Sequence, residues 1–148
     1  MPSTSLALVF ALALALALAL GGATACAHLA PRSFAEIELV EAADVQPAVL
    51  AALSAHEHRV SEVEPQRVVT GWATDREGAT THRERFIVTW EGEPPGPVTI
   101  FVRHERQKMQ VDQGQTSPWS SPTHDMAAQQ RLLEAITERL PAPAAAAE

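Results

Sequence analysis

Every residue from Leu6 to Leu20 is apolar, and most of the run alternates leucine with alanine. A helix over it, rising about 1.5 Å per residue, falls well short of the ~30 Å hydrocarbon core of a bilayer. The run therefore fits the hydrophobic region of an export signal better than a membrane span. Alternation ordinarily marks a strand, but Leu and Ala are both apolar and both favour helix, so the pattern has no polar face. Gly21 and Gly22 break it. With residues 1–25 expected to be a removed signal helix, the fold must be built from the remainder of the 148 residues. That remainder, roughly 120 residues, suffices for one domain with a modest core.

Ala23, Thr24, Ala25 and Cys26 follow the break. Small residues at the third and first positions before a cut suit a signal-peptidase pocket, which larger side chains would not enter. The stretch resembles a bacterial lipobox, with Ala23 where a large aliphatic residue is commoner. The resemblance implies diacylglycerol transfer to the Cys26 sulfur, cleavage between Ala25 and Cys26, and acylation of the new amino terminus. Thiolate nucleophilicity is the reason that residue is cysteine. Two or three acyl chains, at ~0.8 kcal/mol per buried methylene, anchor a protein stably. Ala27 is not the aspartate associated with inner-membrane retention, so the expected location is the outer membrane, facing the periplasm. Ala23 and Ala25 also satisfy the ordinary secretory peptidase, which would cut the same bond and leave a soluble periplasmic or secreted protein. Apart from the covalent lipid on Cys26, no cofactor is expected. The chain has one cysteine, so no internal disulfide and no Cys-based zinc site can form.

The formal net charge is -7, and the leader carries no charged side chain, so the acidity belongs to the part after it. An acidic domain with scattered arginines lacks the electrostatic footprint that neutralises phosphates, which argues against nucleic acid as a partner. Lys108 is the only lysine. Such a bias reads as a high-GC genome and warns against weighting single arginines.

Residues 26–33 are expected to be an acylated tether, 34–140 a single α+β domain and 141–148 a disordered tail. Phe34 to Val40 alternates, with Ala35, Ile37 and Leu39 on one face and Glu36 and Glu38 opposite, as in a half-buried strand. Asp44 is a candidate N-cap for a helix from Val45 to about Ala55, with Val45, Val49, Ala52 and Leu53 as its apolar stripe. Val60 to Val63 fits a short strand. Arg67 to Ala73 places Val68, Thr70 and Trp72 on one face, and Arg83 to Trp90 places Phe86, Val88 and Trp90 together. Val98 to Arg103 is a β-branched run that could continue towards Met109 and Val111. Gly78 and the Gly/Pro cluster from Glu91 to Pro97 supply the connectors. Ser121 and Pro122 are the expected start of a last helix, with Met126, Leu133, Ile136 and Leu140 as its core face and Pro141 as its stop. The expected fold is thus an antiparallel sheet of about four or five strands packed on two helices, a two-layer α+β sandwich.

Six histidines raise the question of a metal. His56 and His58 diverge by about 200° on a helix and could share an ion only on a strand. His56-Glu57-His58-Arg59 is not the helical His-Glu-x-x-His zinc pattern. His82, His104 and His124 stand alone in polar surroundings, so exposed or capping roles are the expectation, and no metal site is assigned. No Gly-x-Ser-x-Gly elbow, recognisable acidic pair or glycine-rich phosphate loop is present, so no catalytic residue is assigned and a non-enzyme is expected. Trp72 and Trp90 are read as core. Trp119 lies in the polar stretch Ser117 to Pro122. It is either a lid folded back over the sheet edge or a contact for a partner, including peptidoglycan.

The helix Asp44 to Leu53, the strand Val69-Thr-Gly-Trp72, the arginine-studded strand Arg83 to Val88 and the terminal helix Gln130 to Ile136 together resemble the helix-grip domains of BamC-like outer-membrane lipoproteins. These are accessory components of the β-barrel assembly machinery. The resemblance spans roughly 34–140 and rests on element order and a few positions. That family usually carries two such domains, and this chain has room for one. It implies a helix-grip-like fold and an envelope-anchored, non-catalytic binding or scaffold module with a protein partner in the envelope, held to the membrane by its lipid. Fold analogy alone does not transfer function. A small-ligand or lipid carrier is the alternative, expected to show an apolar cavity bounded by Trp72, Trp90 and the Met126 to Leu140 face. A periplasmic metal-dependent hydrolase would need His56, His58 or His104 to converge with a carboxylate.

Overall fold

Two long strands with clean alternation set the frame. In the computed structural model, which describes residues 31–37, 42–92 and 97–141, they are β5 (Thr80–Glu91) and β6 (Val98–Asp112), paired antiparallel along their length. Around them lie β1 (Ser33–Ile37), β2 (Val60–Glu64), β3 (Arg67–Thr70), β4 (Ala73–Glu77) and β7 (Gln115–Thr116). The core path of the sheet is β1-β6-β5-β3-β2; β4 also pairs with β5, and β7 with β6. The helices are α1 (Ala42–Ala55) and α2 (Met126–Thr137). The signal segment, Ala25, Cys26, the tether up to residue 30 and the tail from residue 142 lie outside the described residues.

Both helices cover one face of the sheet. The apolar stripe of α1, Val45, Val49, Ala52 and Leu53, is fully buried. It meets Val68, Phe86, Val88, Trp90, Val98, Ile100 and Val102 from the strands, with Leu132, Leu133 and Ile136 from α2. The result is a small two-layer α+β domain with an open antiparallel sheet. Two hairpins have the turn chemistry that strand twist favours. Gly78 (φ +60) sits first in the two-residue β4–β5 turn, and Gln113 (φ +47) with Gly114 (φ +82) makes the β6–β7 turn. The continuation of β6 through Met109 and Val111 is realised.

Three local expectations are corrected. The segment Arg67 to Ala73 is not one regular strand. Val69 pairs with Ile87 and Ala73 with Glu84, so three residues, Thr70, Gly71 and Trp72, oppose two. That extra residue is a bulge, and a shift of one residue turns the following side chain to the other face. Trp72 therefore leaves the core side and lies on the face away from the helices, against Arg83 and Arg85. The Thr70 hydroxyl satisfies the interrupted ladder by accepting the Phe86 N–H at 2.9 Å.

The last helix starts at Met126 with Asp125 as N-cap, not at Ser121 and Pro122. The residues before it are used by β6 instead. Ser117 and Ser120 donate their N–H groups to the carbonyls of Gln110 and Lys108, and Thr123 and Arg106 exchange both backbone bonds. Met126 is consequently 47% exposed and not part of the core face. At the other helix, Asp44 falls in the first turn of α1 and not at its cap.

Candidate functional site

Two surfaces carry chemistry, one at the mouth between helices and sheet, the other on the open sheet face. The mouth begins where α1 ends. His58 donates its N–H to Leu53 O (2.9 Å) and Glu57 to Ser54 O (3.0 Å), the paired bonds of a Schellman stop. Glu57 takes the left-handed position (φ +59) that glycine usually fills. This turn sends the His58 ring onto Phe86, 4.8 Å between centroids, and the His104 ring lies 4.9 Å from the same Phe86 ring. His56 stacks on His58 at 6.4 Å.

His104 on β6 is 2% exposed. Its Nδ1 accepts the Asp125 N–H at 3.2 Å, which puts the ring proton on Nε2, facing Glu84 Oε2 at 3.3 Å. Both nitrogens of a neutral imidazole are thereby committed. His124 donates from Nδ1 to the His104 carbonyl at 2.6 Å. Asp125 accepts Ala128 N–H at 3.0 Å. That bond, helped by the Ala127 N–H and by Arg131, holds its carboxyl below the usual range against a smaller opposing effect of desolvation. Burial pushes the His58 pKa down, and the neighbouring His56 adds to the shift. Around these groups is an open cavity of about 340 Å³, also lined by Arg106, Arg131 and Leu132.

Of the histidines expected to stand alone, His104 is thus brought together with Glu84 and with His56 and His58, the convergence that a hydrolase reading required, whereas His82 lies opposite Asp75 and Lys108. Among the described residues, however, no group of three His, Asp or Glu is placed to hold a metal ion. The apolar carrier cavity also takes a different form. Trp90 is packed in the core, Trp72 is on the opposite face, and the cavity at the mouth is lined largely by charged and imidazole groups. The signal that could have found this cluster is the alternation itself. Glu84 and Phe86 share the inner face of β5, with His104 opposite Phe86 on β6.

On the open face, Trp119 is half-buried. Its loop runs along β6 beyond the reach of β1, and its ring covers the Arg83 guanidinium at 4.0 Å. Trp72 lies 4.3 Å from the same guanidinium. Arg83 is held in plane by two bonds to Gln107 Oε1 (2.9 and 2.7 Å), and Gln107 donates to Ser120 O at 2.9 Å. Arg85 lies 4.5 Å over Trp72 and pairs with Glu105 at 2.8 Å, which also holds Arg103 at 3.2 Å. Trp119 thus lies over the open face at the central strand β5 and not over the sheet edge, and the arginines beneath it are what sequence reasoning missed. Compared with protein-family models and with curated proteins, the chain matches none.

Proposed function

We propose that this protein is an envelope-anchored bacterial lipoprotein whose domain is a non-catalytic binding module. It docks on another envelope protein through the sheet face away from the helices, in a role such as accessory to outer-membrane protein assembly. Acylated Cys26 would hold it to the outer membrane on the periplasmic side. The helix-grip reading is supported by the chain path, in which α1 links β1 at one edge of the sheet to β2 at the other, β6 returns beside β1, and α2 covers the same face.

The observation that carries the proposal is the enclosure of Arg83 between Trp72 and Trp119. Tryptophan and arginine are enriched at interface hot spots, and an arginine already held in place binds without the entropy cost of ordering its long side chain. Here that ordering is already in place, since Gln107 and Ser120 fix the guanidinium. The commitment of both His104 nitrogens supports a structural use of the histidine cluster.

A photo-crosslinking residue in place of Trp119 should capture one envelope protein in intact cells. The product should vanish in an Arg83→Glu background and not form from position Ser54, on the exposed side of α1. Equal yields from positions 119 and 54 would dispose of the docking face. Processing and membrane fractionation unchanged by Cys26→Ala would dispose of the anchor.

A second reading, a carrier of a small polar molecule, is favoured by the cavity of about 340 Å³ at the mouth. It requires stoichiometric binding that Arg131→Glu abolishes, and a protein purified without any bound small molecule counts against it.

A further inference from the structure

The chain leaves the domain at a fixed point. Gln129, fully buried in α2, accepts the Ser33 N–H at 2.7 Å and donates to the Pro31 carbonyl at 3.1 Å. Beside that point, on the open sheet face, the Arg32 guanidinium lies 3.9 Å over the ring of Phe101. Phe34 is the β1 neighbour of Phe101 across the ladder, 6.2 Å between ring centroids, and is 66% exposed. No other large apolar side chain among the described residues is as exposed.

If Cys26 carries the lipid, only Ala27 to Ala30 separate it from Pro31. Fully extended, that stretch spans about 18 Å. With no slack at Pro31 to Ser33, the Arg32–Phe34 patch is confined close to the headgroup layer. An aromatic ring with a guanidinium beside it suits that boundary. The ring enters the edge of the acyl region, and the cation stays with the phosphates.

We propose that Arg32, Phe34 and Phe101 form a membrane-contact patch that seats the domain on an anionic phospholipid surface; this rests on the lipid-anchor reading above. Charge complementarity favours that occupant. Arg32 faces it; Arg103, two positions along β6 from Phe101 on the same face, is paired with Glu105. Glu105 is engaged by Arg85 and Arg103. Two exposed carboxylates on this face, Glu36 of β1 and Glu91 of β5, flank Thr99 and lie on the far side of Phe34 and Phe101 from Arg32. The proposed docking end is compatible with this seat. Arg83 pairs with Gln107, six positions along β6 from Phe101, or roughly 20 Å at strand spacing.

The test uses the mature chain isolated from membranes, carrying Glu36→Cys labelled with an environment-sensitive fluorophore, which leaves Arg32 and Phe34 in place. It is reconstituted in vesicles of phosphatidylcholine containing phosphatidylglycerol, and in pure phosphatidylcholine. In the anionic vesicles, iodide quenching of the label should fall several-fold. Phe34→Ser and Arg32→Glu should each restore it, and a label at Ser54→Cys should remain quenchable throughout. A label at position 36 that stays open to iodide in both vesicles overturns the inference, as does equal protection in pure phosphatidylcholine. Mass spectrometry of the amino-terminal peptide reports acylation of Cys26 separately. Should Cys26 be unmodified, the anchor reading fails. The patch is then judged by the same quenching with Cys26→Ser added, where an unprotected label overturns it.

Discussion

The backbone N–H of Ser33 donates to the side-chain oxygen of Gln129 across 96 positions of sequence, and the same amide returns a bond to Pro31. One buried glutamine thus satisfies the chain on both sides of Arg32 and pins the start of β1 to α2. Gln129→Leu should lower stability by about 1–3 kcal/mol, because it leaves the buried Ser33 N–H without its partner. Urea unfolding monitored by circular dichroism checks this, with the midpoint shifted and the slope unchanged.

Arg83 is expected to be replaceable by neither leucine nor lysine without consequence. Leucine loses both cation–π contacts and the Gln107 bonds, and lysine cannot present a plane between two rings. Each variant should increase acrylamide quenching of tryptophan fluorescence through Trp72 and Trp119. Trp90, buried in the core, keeps its signal in both.

Glu57 occupies a left-handed backbone position at the end of α1 (φ +59), where a Cβ is unfavourable. Glu57→Gly should stabilise the protein by roughly 1 kcal/mol despite glycine's greater unfolded-state freedom. A higher thermal midpoint for the variant checks it; a lower one would show that the Glu57 side chain contributes something the stop motif does not.

Stability should fall on acidification through the histidine range. Burial and the neighbouring His56 lower the folded pKa of His58 below its ordinary 6.5. The unfolded chain therefore takes up the proton first as pH drops. The stabilisation is present above 6.5 and is lost as pH falls towards the lowered value. Thermal midpoints measured across that window should decline in the natural protein and decline less in His58→Gln.

The layers were legible in the sequence because they depend on local periodicity. The α1 stripe, the inner faces of β5 and β6, and the core positions Leu133 and Ile136 all follow from spacing alone. The face of Trp72 is not legible, because it depends on one extra residue at Gly71, and a bulge shows only in the pairing with β5. The cap at Asp125 is hidden for a similar reason. Ser121 and Pro122 have good helix-start chemistry, but the free edge of β6 offers their neighbours backbone partners first. For the histidine cluster, alternation places Glu84 and Phe86 on the inner face of β5, but which β6 residue stands opposite and where the end of α1 lands are long-range facts that appear only in the pairing.

The loop from Ser117 to Thr123 fills the stretch of β6 that β1 is too short to reach, so that flank of the sheet offers little bare backbone to another chain. The opposite flank is β2, where Glu62 and Glu64 stand beside Arg67 and the pairing is irregular between Val60 and Glu62. Carboxylates on a distorted border repel a second copy approaching in register. The domain can in this way stay unpolymerised, although an open sheet is the shape most prone to stacking edge on edge.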